Sequence, residues 1–348
     1  MSDKNRLATF ARALPWPAPP DRSRADRDRV TIPNWNRVAM RVWLALLLAA
    51  LAVPAAAAER LTVILDWFVN PDHAPLIIAK EAGYFAREGL DVELIAPADP
   101  SLPPRLVAAG QGDIAVTYQA DLVLNVAAGL PLVRVGTLVE TPLNCLIALK
   151  AGPIKSLSDL KGKRIGFAVA NLKDVYLGAM LATVGLSTED ATLIGVNFNL
   201  ANALKAGHVD AIIDGFRNFE LVEMELAGYP AVAFYPEENG VPAYDELIYV
   251  TRAALSGDDR MRRFVAAVEQ ATLYLTNHPT EALSLILKAH PDLDDPLNRQ
   301  AYTATLSRFA KRPGALDRAR YERFAAFLQK QGLIDRAPRL ETYAIQPM

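Results

Sequence analysis

Cysteine is almost missing from this sequence. Cys145 stands alone among 348 residues, which excludes an intrachain disulfide and a cysteine-based zinc site. Histidine is nearly as scarce, and His73, His208, His278 and His290 lack the spacing of metal ligands. A net charge of −2 at pH 7 gives no general reason to expect nucleic acid as a partner. No Gly-Lys-Ser/Thr phosphate loop and no Gly-x-Ser-x-Gly elbow occurs beyond residue 58. What remains is a chain that is 51% hydrophobic, long enough for two domains or one large α/β unit.

The N-terminus has a different character. Met40-Arg41 precedes an apolar stretch, Val42 to Leu48 and onward, that ends in the small residues Ala56-Ala57-Ala58. A positive start, an apolar core and small residues make a secretory signal, with a cut expected after Ala58. The stretch is short for a bilayer span and contains Pro54. No cysteine stands directly after it, so a lipid anchor is not expected. Residues 1–39 are rich in Arg, Asp and Pro without periodicity, and translation is expected to start at Met40. Residues 1–58 carry nine basic against four acidic side chains, so the remainder is net acidic. That balance speaks against an anionic ligand. Residues 1–58 are therefore set apart from the folded body.

From Glu59 onward, short β-rich runs alternate with helical stretches. Strands are expected at 61–65, 91–95, 114–117 and 133–139, with helices at 75–82, 102–109 and 120–128. The pattern then restarts, with strands at 145–149, 164–167, 192–196, 211–214, 232–235 and 247–251. Helices at 175–183, 201–206 and 218–227 lie between them, and only helices follow: 258–277, 280–290, 297–309 and 317–331. This alternation argues for parallel α/β architecture. The pattern leaves open whether there are two successive domains or one lobe interrupted by another.

In open α/β sheets, ligands bind beyond the carboxyl ends of strands. That rule selects the loop Asp66-Trp67-Phe68-Val69-Asn70-Pro71-Asp72-His73, the pair Tyr118-Gln119, and the segments Ala168–Asn171 and Gly215–Glu220. Each residue also has a plainer account. Trp67 can cover a sheet edge, Asp72 or Asn218 can cap a helix, Asp214 can hold a turn, and Glu220 can complement a helix dipole. The recurrence of aromatic and acidic residues at strand ends in both halves favours a site. Rings stack on a flat heterocycle, and carboxylates accept from its amino or ring N–H groups. An anion pocket would use helix N-termini and arginine instead; Arg217 is the one nearby cation and is expected to pair with a surface acid.

At these residues the sequence resembles a known family. Leu65-Asp66-Trp67-Phe68-Val69-Asn70-Pro71-Asp72-His73, Gly83-Tyr84-Phe85, Glu88-Gly89-Leu90, Pro142-Leu143-Asn144 and Phe216-Arg217-Asn218-Phe219-Glu220 are similar to the thiamine-pyrimidine family. That family joins thiamine-pyrimidine synthases to periplasmic binders of thiamine-precursor pyrimidines. The resemblance spans about residues 60–335. It implies a type II periplasmic binding protein: two α/β lobes joined by two crossover strands, with the C-terminal helices packed on lobe 1. Lobe 1 would comprise residues 59–144 and 248–348, and lobe 2 residues 145–247. It further implies a periplasmic protein, expected as a monomer, delivering formylaminopyrimidine or hydroxymethylpyrimidine to an ABC permease and its ATPase. Such a protein meets the membrane only through the permease and needs no cofactor. By motif position Trp67 would stack on the ring, while Asn70 and Glu220 would bond its polar edge. Asp66, His73, Phe216 and Asn218 complete the loops. Tyr118, Asn144 and Tyr244 join the set by loop position.

The same family contains an enzyme that builds the pyrimidine phosphate from its own histidine and pyridoxal phosphate, with iron. His73 lies at the position resembling that histidine. The enzyme's cysteine-rich motif has no counterpart here, and a secretory signal would remove the chain from cytoplasmic cofactors, so no enzyme is expected. A riboflavin-like heterocycle or a sulfonate is the alternative ligand.

Overall fold

The structure, a computed structural model, describes residues 58–347. The expected secretory segment and the Met40 start lie outside the described residues. Ten strands follow in chain order: β1 (Glu59–Ile64), β2 (Leu90–Ile95), β3 (Ile114–Tyr118), β4 (Leu132–Val139), β5 (Asn144–Leu149), β6 (Arg164–Phe167), β7 (Thr192–Gly195), β8 (Ala211–Phe216), β9 (Ala231–Phe234) and β10 (Leu247–Arg252). Each matches an expected strand to within two residues at either end. The β3 and β4 strands are buried along their whole length, as strands covered on both faces require.

The strands form two five-stranded sheets, ordered β2-β1-β3-β10-β4 and β7-β6-β8-β5-β9. In the first, β1 runs parallel to β2 and β3, whereas β10 is antiparallel to β3 and β4. In the second, β6 runs parallel to β7 and β8, whereas β5 is antiparallel to β8 and β9. The strands running against their neighbours are thus the two at the crossings. β5 enters the second sheet directly from the first, and β10 returns to the first sheet. A chain that crosses without a helical connection must enter in the opposite sense to strands joined by right-handed βαβ units.

Glu246 binds the two crossings together. Its Oε2 accepts the backbone N–H groups of Leu143 (2.5 Å) and Asn144 (2.8 Å). This carboxyl is fully buried, and burial pushes its pKa up to about 7.

The C-terminal helices return to the first sheet. Helix Asp259–Asn277 buries Met261, Phe264, Val265, Val268, Ala271 and Leu275 at helical spacing. Phe264 stacks on Phe85 and meets Tyr249 of β10 edge-on. The helix expected to reach 309 ends at Thr305. Its continuation serves another purpose: the Ala310 N–H donates to the Leu138 carbonyl, and Phe309 bridges Val139 on the free edge of β4. Farther along that edge Ala344 bridges Arg134. The fully buried Arg134 guanidinium donates to the carbonyls of Pro313, Ala315 and Ile345. The chain end thereby covers a strand edge that would otherwise be open to pairing.

Candidate functional site

The loop after β1 turns sharply at Asn70, whose Oδ1 accepts the Asp72 N–H at 2.8 Å and whose Nδ2 donates to the Phe68 carbonyl. Asn70, and not Asp72, is therefore the capping residue here. Its backbone N–H donates to His73 Nδ1, which leaves Nε2 to bond Asp66 Oδ1 at 2.9 Å. The other Asp66 oxygen accepts from the Tyr118 hydroxyl at 3.3 Å. His73 is completely buried, with both ring nitrogens engaged inside the protein; it orients Asp66.

On the other side of the cleft, β8 ends in Asp214-Gly215-Phe216. Asp214 adopts a left-handed φ of 69°, a strained state for a residue with a side chain. Its Oδ2 accepts the Ala168 and Val169 N–H groups at 3.1 and 3.0 Å, and its Oδ1 accepts from Asn144 Nδ2. Gly215 is required beside it, because a Cβ there would come within 2.8 Å of Ile147 Cδ1. The Glu220 side chain folds back on this turn, with Oε2 accepting the Phe216 N–H at 2.7 Å.

A cavity lies between these two sets of loops. Its first-lobe wall holds Asp66, Trp67, Asn70, Asp72 and Tyr118. Its second-lobe wall holds Asp214, Phe216, Phe219 and Glu220, with Asn144 at the crossing between the lobes and Ala168, Val169 and Leu172 supplying apolar surface. Seven residues anticipated from sequence therefore border it: Asp66, Trp67, Asn70, Tyr118, Asn144, Phe216 and Glu220. Three stand apart from the lining. His73 lies behind Asp66. Asn218 spans from the second lobe to Asp72 and Thr305. Tyr244, fully buried, stacks on Tyr176 with centroids 5.0 Å apart. Asp72, Asp214 and Phe219 join the lining without having been assigned to it. A helix cap is the plainer account of Asp72 and a turn that of Asp214, and no local pattern distinguishes such a carboxylate from one that also faces a cavity.

The electrostatics are one-sided. Four carboxyls line the cavity and no basic side chain does so among the described residues. Arg217 points elsewhere, pairing with Glu237 at 2.7 Å and lying over the Tyr235 ring, as expected of it. Burial raises three of the four carboxyls: Asp72 and Asp214 to about 6, and Glu220 to about 8. Asn144 Oδ1, also buried, has no hydrogen-bond partner among the described residues. The walls are thus rich in acceptors and in carboxyls able to hold a proton.

Several hydrogen bonds cross the cleft, among them Ala170 N–H to the Ser101 hydroxyl at 3.3 Å and Asn197 Nδ2 to Asp99 Oδ2 at 3.5 Å. Asp72 Oδ1 accepts from Asn218 Nδ2 (2.6 Å) and from the Thr305 hydroxyl (2.8 Å). Asp121 Oδ1 accepts from Asn171 Nδ2 (2.7 Å). At the mouth, Trp67 and Phe68 of the first lobe meet Phe198 of the second with centroids 4.6 and 4.3 Å apart. This is the geometry of a closed cleft.

The raised carboxyls bear on stability. A carboxyl whose folded pKa exceeds its unfolded value contributes most below the unfolded value. It loses that contribution as pH rises through the folded one. For Glu220 and Glu246 the loss runs from about pH 4.5 up to about pH 7–8. Surface acids such as Asp210 and Asp258, held below their usual range by hydrogen bonds to Arg164 and Arg260, titrate outside that window. The ligand-free protein is therefore expected to melt several degrees higher at about pH 5.5 than at about pH 8.5, each kcal/mol being worth about 2–4 °C at this size. Thermal scans at the two pH values check this, and a higher midpoint at the alkaline one would contradict it.

Two α/β lobes around a cleft, with crossing strands that run against their neighbours, define a type II periplasmic binding-protein fold. The alkanesulfonate-binding protein SsuA of Xanthomonas axonopodis pv. citri, bound to MOPS, shares it. The TM-score is 0.67, with 83% of this chain and 99% of that one covered at 17% identity. The family model described as NMT1/THI5 like matches residues 70–282, and the chain belongs to this family. A Haemophilus influenzae protein named for thiamine biosynthesis is 47% identical over 85% of this chain and 95% of its own length. A formylaminopyrimidine-binding protein of Halalkalibacterium halodurans is 32% identical over 72% of this chain and 77% of its own. A 4-amino-5-hydroxymethyl-2-methylpyrimidine phosphate synthase of Legionella pneumophila is 29% identical over 73% of this chain and 81% of its own.

Proposed function

We propose that this protein is an extracytoplasmic solute-binding protein that captures a thiamine-precursor pyrimidine, formylaminopyrimidine or hydroxymethylpyrimidine, for an ABC permease and its ATPase. The observation that carries this reading is the cavity itself. Asp66, Asp72, Asp214 and Glu220 face it, no basic side chain does among the described residues, and Trp67, Phe216 and Phe219 supply aromatic surface. An aminopyrimidine offers donors to the carboxyls and a flat face to the rings. A sulfonate would bring negative charge into a site already lined by acids. The relatives named for thiamine biosynthesis and formylaminopyrimidine binding support the same ligand class.

In this reading residues 59–144 and 248–348 form one lobe and 145–247 the other, hinged where Glu246 ties Leu143 and Asn144. The secretory segment is removed near Ala58, and the mature protein works as a monomer in the periplasm. It performs no chemistry on its ligand. The enclosure of His73 between Asn70 and Asp66 supports a positioning role over consumption as a substrate. Cys145 is a buried free thiol whose pKa burial pushes up, which suits packing better than reactivity.

Titration calorimetry on the mature protein tests the proposal. Aminopyrimidine precursors are expected to bind with quenching of tryptophan fluorescence, and taurine is expected to give no heat. Clear heat with taurine and none with pyrimidines would sink it.

A further inference from the structure

A ring of three buried side chains joins the two walls of the cleft. Asn218, on the second-lobe loop after β8, donates through Nδ2 to Asp72 Oδ1 at 2.6 Å and to the Thr305 hydroxyl oxygen at 2.7 Å. The Thr305 hydroxyl closes the ring by donating to the same Asp72 oxygen at 2.8 Å. Asp72 and Asn218 are each 2% exposed and Thr305 is fully buried. The other bonds across the cleft are wetter. Asn171, which meets Asp121, is half-buried, and Ala170 and Asn197 are exposed. A bond to a carboxylate that water cannot reach is the strongest of the set. Thr305 ends helix Pro296–Thr305, which packs on both the Pro71–His73 turn of the first lobe and helix Glu220–Leu226 of the second. Of the three residues, only Asp72 also lines the ligand cavity.

We propose that Asn218 is a positioning residue that sets how long a ligand stays, acting through Asp72 without lining the cavity itself. The inference rests on the reading of the protein as a solute binder and adds how occupancy becomes closure. When the lobes part, water solvates Asp72 and Asn218 and competes for their bonds. When they close on a ligand, the ligand covers the cavity side of Asp72 and excludes that water. The bonds from Asn218 and Thr305 then strengthen as the local dielectric falls. The ligand therefore favours closure through a residue it touches, and the lobe-to-lobe bond is made by one it does not. Asn218 Oδ1 keeps the ring reversible, since it is buried with no hydrogen-bond partner among the described residues. Opening returns that oxygen to water, which offsets part of what the ring contributes.

Stopped-flow tryptophan fluorescence with hydroxymethylpyrimidine, together with small-angle scattering of the ligand-free protein, tests this. Asn218→Asp keeps the shape but sets a carboxylate against Asp72, and Thr305→Val removes the bridging hydroxyl. Each is expected to speed dissociation about tenfold or more while changing association by less than about twofold. Ligand-free Asn218→Asp should also scatter as a more extended particle than the wild type. Asn171→Ala, which breaks only the half-buried bridge, should change dissociation by less than about threefold. Unchanged dissociation in Asn218→Asp and Thr305→Val, or a loss carried by association instead, overturns the role of Asn218 and leaves the pyrimidine reading intact. A wild type that binds no pyrimidine overturns that reading, and scattering then decides the ring alone. A ligand-free Asn218→Asp as compact as the wild type would overturn it.

Discussion

Replacing Glu220 by glutamine will weaken aminopyrimidine binding at least tenfold near neutral pH and abolish the decline in affinity expected of the wild type above about pH 8. Glu220 starts helix Glu220–Leu226, and Oε2 is occupied by the Phe216 N–H, so a ligand reads the other oxygen. Burial lifts this carboxyl to about 8, so at neutral pH it holds a proton. It can donate that proton to a ring nitrogen or yield it to the ring and accept back from the resulting N–H. Both arrangements are charge-assisted or close to it, and such bonds contribute about 1.5–3 kcal/mol. An amide can neither lose nor take the proton. Above about pH 8 the wild-type carboxyl ionises before the ligand arrives, the shared proton is lost, and affinity falls. Dissociation constants measured across that range for both proteins check the point. Unchanged affinity in Glu220→Gln would remove Glu220 from the site.

The second large effect is expected at Asp214. Asp214→Ala should destabilise the ligand-free protein by about 2–5 kcal/mol, since it strands two buried N–H groups at about 1–3 kcal/mol each. The stranded groups belong to Ala168 and Val169, and Asn144 Nδ2 loses its acceptor as well. Asp214→Gly tests the backbone separately. It relieves the left-handed φ of 69° but loses the same bonds, so it should fall between alanine and wild type. Asp214→Asn keeps an acceptor and a residue type that tolerates this conformation, and should be the mildest of the three. Chemical denaturation ranks them, and an alanine variant as stable as wild type would show that the turn does not depend on its carboxylate.

Both sites show how far local sequence reaches. The β1 loop was legible because Asp66, Trp67, Asn70 and His73 crowd into one strand-end segment whose chemistry is readable residue by residue. Phe216 and Glu220 were legible for the same reason. His73 could not be separated from the lining by sequence, since only its burial behind Asp66 sets it apart. Tyr244 fits a loop by position, yet its ring packs on Tyr176 and Phe324. The early end of helix Pro296–Thr305 was equally hidden, because it follows from pairing with the distant edge of β4.

Sequence alone determined that one cysteine permits neither an intrachain disulfide nor a cysteine-based zinc site. It also determined that strands and helices alternate in an α/β chain and that aromatic and acidic residues gather at strand ends. Each of these depends on residue type and short-range period, which the chain carries locally. Only the tertiary structure decided which carboxyls face a common cavity. It alone decided that β10 returns to the first sheet and that Asp72 and Asn218 bridge the cleft. Those features depend on which distant segments are brought together, and on how much burial each carboxyl then suffers.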